Sequence, residues 1–137
     1  MSTKIPDSHK DLLNAPVYVD VVTVMPDGQP QASVVWCSYD GEHVLVNTAV
    51  GRQKEKNLSE RPMATVLAVD PENPFRYIEV RGNVELSKEG ALDHINQLAK
   101  AYRGADSYYG GVQPAEMAQK ETRIICKIKP THVNAFG

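Results

Sequence analysis

Long apolar runs are missing from this chain: no window of its 137 residues approaches the roughly 18–20 consecutive apolar residues that a membrane-spanning helix needs. The opening from Met1 to Lys10 is polar, with no apolar stretch behind it, so neither a helical span nor a secretion signal is expected and a cytoplasmic location is. Cysteine is scarce too. The two that exist, Cys37 and Cys126, form no CxxC pair and no Cys/His cluster, and each sits in a strand-like apolar run where a buried thiol is the ordinary role. A disulfide framework and a bound metal therefore lack support. Charge of one sign is also lacking: 15 Lys+Arg against 17 Asp+Glu leave a net charge of -2, too little to attract nucleic acid or a membrane surface, so any anion site must be local. The four histidines, His9, His43, His94 and His132, are scattered without the spacing of a triad.

What is present suffices for one compact domain over residues 1–137, since 42% of the residues are hydrophobic and the length falls in the single-domain range. No internal repeat or low-complexity tract interrupts it. Asp7 or Ser8 is placed to cap a short opening helix through Leu13, and Pro16 starts a first strand, 17–25. Pro26-Asp27-Gly28 turns the chain back into a second strand, 31–39; Asp40-Gly41 makes another tight turn into a third, 43–48, and the three read as an antiparallel meander. A helix over 52–60 is stopped by Pro62, and 63–69 reads as a buried strand. After a loop at 70–74, a long strand over 75–86 carries Gly82, where a missing Cβ suggests a bulge or sharp bend. Ser87 is placed to cap the next helix, 89–102, whose apolar positions Ala91, Leu92, Ile95, Leu98, Ala99 and Tyr102 recur three and four apart. A loop at 103–113, a short helix at 114–120 and closing strands at 122–129 and 132–135 complete the reading. Six or seven short strands interrupted by helices favour a small barrel over a sandwich.

The most informative stretch is Gly51-Arg52-Gln53-Lys54-Glu55-Lys56-Asn57-Leu58, directly behind the strand-like Val44-Leu45-Val46-Asn47-Thr48. Cations and an amide gather where a strand turns into a helix, so helix-start N–H groups, the helix dipole and the side chains can all address one anion. A charged turn of this kind is commonly only a solvated surface helix. Order along the chain adds to the signal. Asp27-Gly28-Gln29-Pro30 is followed by Ser33 and Val34; then come R-x-K-x-x-N-L at Arg52, Lys54, Asn57 and Leu58, Arg61-Pro62, and the run from Tyr77 to Leu86.

This ordered set, covering about residues 8 to 137, resembles the flavin- and deazaflavin-dependent split β-barrel superfamily usually named after pyridoxamine 5'-phosphate oxidase, above all its short members that use coenzyme F420. The resemblance implies a mainly β (α+β) fold: a small antiparallel split barrel, the FMN-binding split barrel, with a few peripheral helices. It also implies a homodimer with two cofactors at the interface. By the same resemblance, Arg52, Lys54 and Asn57 hold the cofactor phosphate as a bidentate fork, a point charge and a neutral donor, while Lys56 faces water. Val46, Asn47, Thr48, Ala49 and Val50 line the ring system and ribityl chain; Pro30, Ser33, Val34 and Trp36 form the other wall. Met63 and Ala64 lie on the strand whose main chain approaches the pyrimidine edge, and Phe75, Arg76, Tyr77 and Glu79 cover the ring from the partner chain.

Each position has a plainer alternative: Ser33 a routine strand residue, Trp36 a core or interface aromatic, Thr48 a strand-end hydroxyl satisfying backbone, Arg76 and Glu79 a cross-strand ion pair. The implied activity is hydride transfer from reduced F420 to a small conjugated or oxidised organic substrate. No protein nucleophile is needed, and Tyr77, Tyr102, Tyr108 and Tyr109 are candidate proton donors. FMN is the alternative cofactor, since both carry a ribityl phosphate; Lys4, Lys10 and Lys56 are candidate partners for the oligoglutamate tail that only F420 carries. The chain ends at Gly137 without the C-terminal basic segment of the true pyridoxamine phosphate oxidases, so vitamin B6 chemistry is not expected. A non-catalytic flavin or deazaflavin binder, or a haem-handling protein using His132, remains the alternative class.

Overall fold

The computed structural model describes residues 3–137. Its frame is one sheet of seven strands: β1 (Val19–Val24), β2 (Pro30–Val35), β3 (Cys37–Tyr39), β4 (Val44–Ala49), β5 (Met63–Asp70), β6 (Asn73–Ser87) and β7 (Arg123–Phe136). They lie in the order β2-β1-β5-β6-β7-β4-β3, every pairing antiparallel. β2 and β3 thus occupy opposite edges of the sheet, yet only Trp36 separates them in the chain. One residue spans a few ångströms at most, so the sheet must curl until its two edges meet. The result is a split β-barrel with α1 (Asp11–Asn14), α2 (Gln53–Glu60) and α3 (Ala91–Arg103) around it.

This arrangement corrects the expected meander. The single strand read over 31–39 is two strands broken at Trp36, and the third strand, β4, pairs with β3 on one side and with β7 on the other. Strand alternation in sequence cannot reveal such a break, because the side chains keep their period while the hydrogen-bond partner changes. Tyr102 from α3 fills the gap: its hydroxyl accepts the Cys37 N–H at 3.0 Å and donates to the Val17 carbonyl at 2.7 Å, with the Cys37 carbonyl 3.2 Å away.

Alternation is clearest in β1, where Val19, Val21 and Thr23 point inward. Val19 and Val21 with Val44, Val46, Val66, Ile78, Val80 and Ile128 form the barrel core, plugged at one end by Leu12 and Leu13. Gly82 makes the expected irregularity: the β6–β7 register shifts between Arg81 and Gly82, opposite Pro130, and a Cβ there would lie 2.3 Å from the Lys129 carbonyl oxygen. The two closing strands are consequently one long strand, bent at that point. Helix starts depart from expectation. Asp7 does not cap a helix but pairs with Lys10 at 2.6 Å, next to a 3₁₀ turn at Asp7–His9. α3 begins after Gly90 at φ 75 rather than at a Ser87 cap, and 115–119 is a 3₁₀ turn. On α3, Leu92 is exposed and His94 takes the inner face beside Ala91, Ile95, Leu98 and Ala99.

Burial holds the Tyr102 phenol firmly protonated, with the nearby Cys37 thiol acting in the same direction. Tyr102→Phe should therefore strand the Cys37 N–H and the Val17 carbonyl at the closure. The expected loss is about 1–3 kcal/mol in a urea unfolding curve; an unchanged midpoint would show that water replaces the hydroxyl there.

Candidate functional site

A cavity of about 360 Å³ opens beside Trp36 at the closure. One wall is aromatic. Trp36 stacks on Tyr102 with centroids 5.3 Å apart and meets Tyr108 edge-on at 6.1 Å, while Tyr18 meets Tyr102 edge-on at 5.5 Å. Cations line the cavity as well: Arg52 and Lys54 from the start of α2, Arg103 from the end of α3 and Arg123 from the start of β7, the last over the Tyr108 ring. These segments meet because β4 pairs with β7, which sets Ala49 opposite Arg123 and brings the turn into α2 beside the start of β7.

Lys54 is half-buried and has no hydrogen bond or ion pair among the described residues. Burial, and then the positive charges of Arg52 and Arg123, hold its pKa below the usual lysine range. A desolvated cation next to two others, without an acid of its own, is favourable only if an anion joins it. Glu121 meets part of the surrounding charge: it accepts from Arg52 at 2.7 Å, from Arg123 at 3.2 Å and from the Tyr109 hydroxyl at 2.7 Å. Burial opposes ionisation of this carboxyl, but the hydrogen bonds from Tyr109 and Arg52 outweigh it and keep the group below the ordinary glutamate value. The helix start itself is partly taken. Glu55 reaches back to accept the Gly51 N–H at 2.7 Å, so one donor of the turn already has a carboxylate.

Behind the cations lies a buried polar chain. Asn47 Oδ1 accepts from Arg123 Nε at 2.9 Å, and its amide nitrogen donates to the Ala91 carbonyl at 2.9 Å and to His94 Nδ1 at 3.1 Å. An Nδ1 that accepts places the imidazole proton on Nε2, where it is donated to Ser38 Oγ at 2.9 Å. Ser38, His94 and Asn47 have the spacing of a nucleophile, base and orienting group, but their polarity is reversed. His94 has no lone pair facing Ser38, so it cannot take the serine proton. Burial, reinforced by the charge of Arg123, pushes the His94 pKa down to about 4.

Of the residues expected in the site, the structure brings Val34, Trp36, Asn47, Arg52 and Lys54 to this cavity. Asn57 is not a donor to it. Its side chain is fully buried under α2, giving its N–H groups to Thr23 Oγ1 at 3.0 Å and Met25 Sδ at 3.4 Å and accepting from Gln53 at 2.8 Å. Asn47 is likewise committed within the protein. Val46, Thr48 and Ala49 are enclosed in the core, the Thr48 hydroxyl without a partner, whereas Val50 is exposed. Pro30, Met63 and Ala64 line a second, more apolar groove of about 430 Å³ with Val22, Val24 and Arg81. Ser33 lines neither, its hydroxyl enclosed and unpaired.

Phe75 is exposed and Tyr77 stacks on Phe136 at 5.6 Å, both away from the two cavities. The suggested Arg76–Glu79 pair is not formed: Arg76 binds Asp11 and Asp70, and Glu79 binds Arg81 on its own strand. Lys56 is exposed as expected, and Lys10 is held by Asp7. His132 lines neither cavity. Of the four candidate proton donors, Tyr102 has its hydroxyl committed to the barrel closure and Tyr109 to Glu121. Tyr108 lines the cavity, and its hydroxyl makes no hydrogen bond among the described residues. Arg103 and Arg123 escape the sequence reading because each is distant from the 51–58 stretch, and Tyr108 entered it only as a candidate proton donor. The one available signal was a cation at the head of the apolar run Ile124-Ile125-Cys126.

A sequence model of the family described as pyridoxamine 5'-phosphate oxidase matches residues 5–137. Among solved structures, one described as an F420 reductase is 33% identical, with a TM-score of 0.80 over 95% of this chain and 98% of its own. A conserved hypothetical protein from Mycobacterium tuberculosis is 20% identical, with a TM-score of 0.73 over 96% of this chain and 84% of its own. General stress protein 26 from Bacillus anthracis is 17% identical, with a TM-score of 0.66 over 91% of this chain and 88% of its own. The last two share the fold alone.

The depressed His94 pKa sets a pH dependence. Between the ordinary value of 6.5 and about 4 the unfolded chain takes up a proton that folded His94 refuses, so this contribution to stability is intact above pH 6.5 and lost as the pH falls toward 4. The loss should reach about 3 kcal/mol. Urea unfolding of His94→Gln across that range should show a flatter profile than the parent protein, and parallel profiles would mean that His94 charges freely in the folded state.

Proposed function

The chain belongs to the pyridoxamine 5'-phosphate oxidase family of flavin- and deazaflavin-binding oxidoreductases, and on that footing we propose that it is a reductase dependent on coenzyme F420. The carrying observation is the half-buried Lys54 ammonium, which lacks an acidic partner beside Arg52 and Arg123 in an aromatic-walled cavity. Such a site fits the phosphate of a ribityl-phosphate cofactor: Lys54 offers a compact charge and Arg52 a planar fork. The F420 reductase at 33% identity over nearly the full length of both chains supports the deazaflavin over FMN.

When bound, reduced F420 supplies a hydride from its ring, and the protein's own groups orient and shield the reactants. Trp36 and Tyr18 form an apolar wall that keeps water from a flat conjugated substrate. Tyr108, whose hydroxyl is uncommitted, is the phenol placed to hold a proton for the reduced product. The second groove, with Met63 exposed in it and Val34 exposed on the neighbouring edge strand, is the face on which a second copy of the chain would close, giving the homodimer that the family resemblance implies.

Fluorescence titration of the apo-protein with F420 and with FMN tests this reading directly. F420 is expected to bind selectively, and Arg52→Ala with Lys54→Ala to weaken it by several kcal/mol in all through loss of two charge-assisted contacts, each about 1.5–3 kcal/mol, without loss of fold. Selective FMN binding would move the protein to the flavin branch, and affinity unchanged in the double variant would remove the phosphate assignment.

A further inference from the structure

We propose that Arg123 is the third cation of the phosphate-binding site, and that Asn47 and His94 are positioning residues that aim its guanidinium. The inference rests on the cofactor reading above and adds to it a residue 69 positions beyond Lys54 in the chain.

A guanidinium with only 5% of its side chain exposed is expensive to desolvate and needs several partners. Arg123 has them on three sides: Nε to Asn47, Nη1 to Glu121, and the Tyr108 ring beneath it, 5.0 Å from the guanidinium carbon to the centroid. Neither Asn47 nor Glu121 ties Nη2, the Tyr109 hydroxyl lies beside the guanidinium, and the side chain lines the cavity. One arm of the fork is thus held ready while the other is tied back. Arg52 and Arg123 grip the two oxygens of the same Glu121 carboxylate, so their heads are neighbours, and the charge of each depresses the Lys54 ammonium. Arg52, Lys54 and Arg123 against one carboxylate leave net positive charge at the site, the complement of a phosphate.

The polar chain behind Arg123 gives it direction. Asn47 presents its oxygen to Arg123 only while its NH₂ faces the Ala91 carbonyl and His94 Nδ1. A flipped amide would set NH₂ against guanidinium and leave both acceptors unfilled. Neutral His94, accepting at Nδ1 and donating to Ser38, therefore locks the orientation of Asn47, and through it that of Arg123. A simple Arg123–Glu121 ion pair would need none of this. The network is also intrachain, so it is complete without a second copy.

Phosphate dependence separates this role from a structural one. F420 and the phosphate-free deazaflavin riboside are titrated by fluorescence into the parent protein, Arg123→Gln, Arg123→Lys and Asn47→Ala, with circular dichroism as the fold control. In Arg123→Gln, F420 affinity should fall at least about tenfold while riboside affinity stays within about twofold. Arg123→Lys should recover part of the loss, and Asn47→Ala should lower the F420-to-riboside ratio less than Arg123→Gln does. An unchanged ratio in Arg123→Gln, or equal loss of both ligands, overturns the proposal. Should the glutamine variant fail to fold, a ratio in Arg123→Lys equal to that of the parent overturns it instead. An unchanged ratio in Asn47→Ala removes the positioning role. If the parent protein prefers FMN, the F420 reading fails, but the same ratio taken with FMN over riboflavin still decides the role of Arg123. Binding of no cofactor overturns both.

Discussion

The rest of the molecule depends on the closure at Trp36. Two edge strands at opposite ends of a seven-stranded sheet are joined through one residue, which forces the sheet to curl and leaves backbone groups without ladder partners where β2 gives way to β3. Tyr102 takes up the Cys37 N–H and the Val17 carbonyl from α3, so the helix docks where the strands change partner. The cavity opens beside this closure, with Trp36, Val34 and Val35 on the sheet side and Ile95 and Leu98 on the helix side. Closing the fold and shaping the site are consequently the same event, and the aromatic stack of Trp36 on Tyr102 belongs to both.

Electrostatics divides the cavity from its surroundings. The molecule carries 15 basic against 17 acidic side chains, so nothing in its overall field favours an anionic ligand. Local placement does what net charge does not. Four cations line one cavity, and a single carboxylate, Glu121, spreads over two of them. Outside the cavity, Arg76 is fully matched by Asp11 and Asp70. Keeping Lys54 unmatched and partly desolvated stores a preference for an incoming anion. The buried thiols take no part, since burial raises Cys37 and Cys126 to about 12 and keeps both unreactive.

Much of the fold was legible from residue pattern. The turns at Asp27-Gly28 and Asp40-Gly41, the bend at Gly82, the helix stopped before Pro62 and the amphipathic helix over 91–103 all follow from local chemistry: positive φ, a missing Cβ, a missing N–H, a repeat of three and four. The break at Trp36 was not legible, because the alternation of side chains continues through it while the pairing partner changes. Leu92 and His94 exchanged places for a related reason. Periodicity ranks a leucine above a histidine on the buried face, but Asn47 and Ser38 supply that histidine with two hydrogen bonds and reverse the ranking.

For the site, the sequence by itself determined that a strand runs into a helix bearing Arg52 and Lys54, because strand, turn and helix signals act over a few neighbouring residues. Tertiary structure decided which polar side chains remain free for a ligand. Asn57 stands at the expected spacing, yet its amide is consumed by Thr23 and Met25. Arg123 shows locally only as a cation at the head of an apolar strand, yet the β4–β7 pairing brings it alongside Arg52 and Lys54. A hydrogen bond satisfied within the fold is unavailable to a ligand, and whether it is satisfied depends on residues far away in the chain, which only the folded sheet brings within 3 Å.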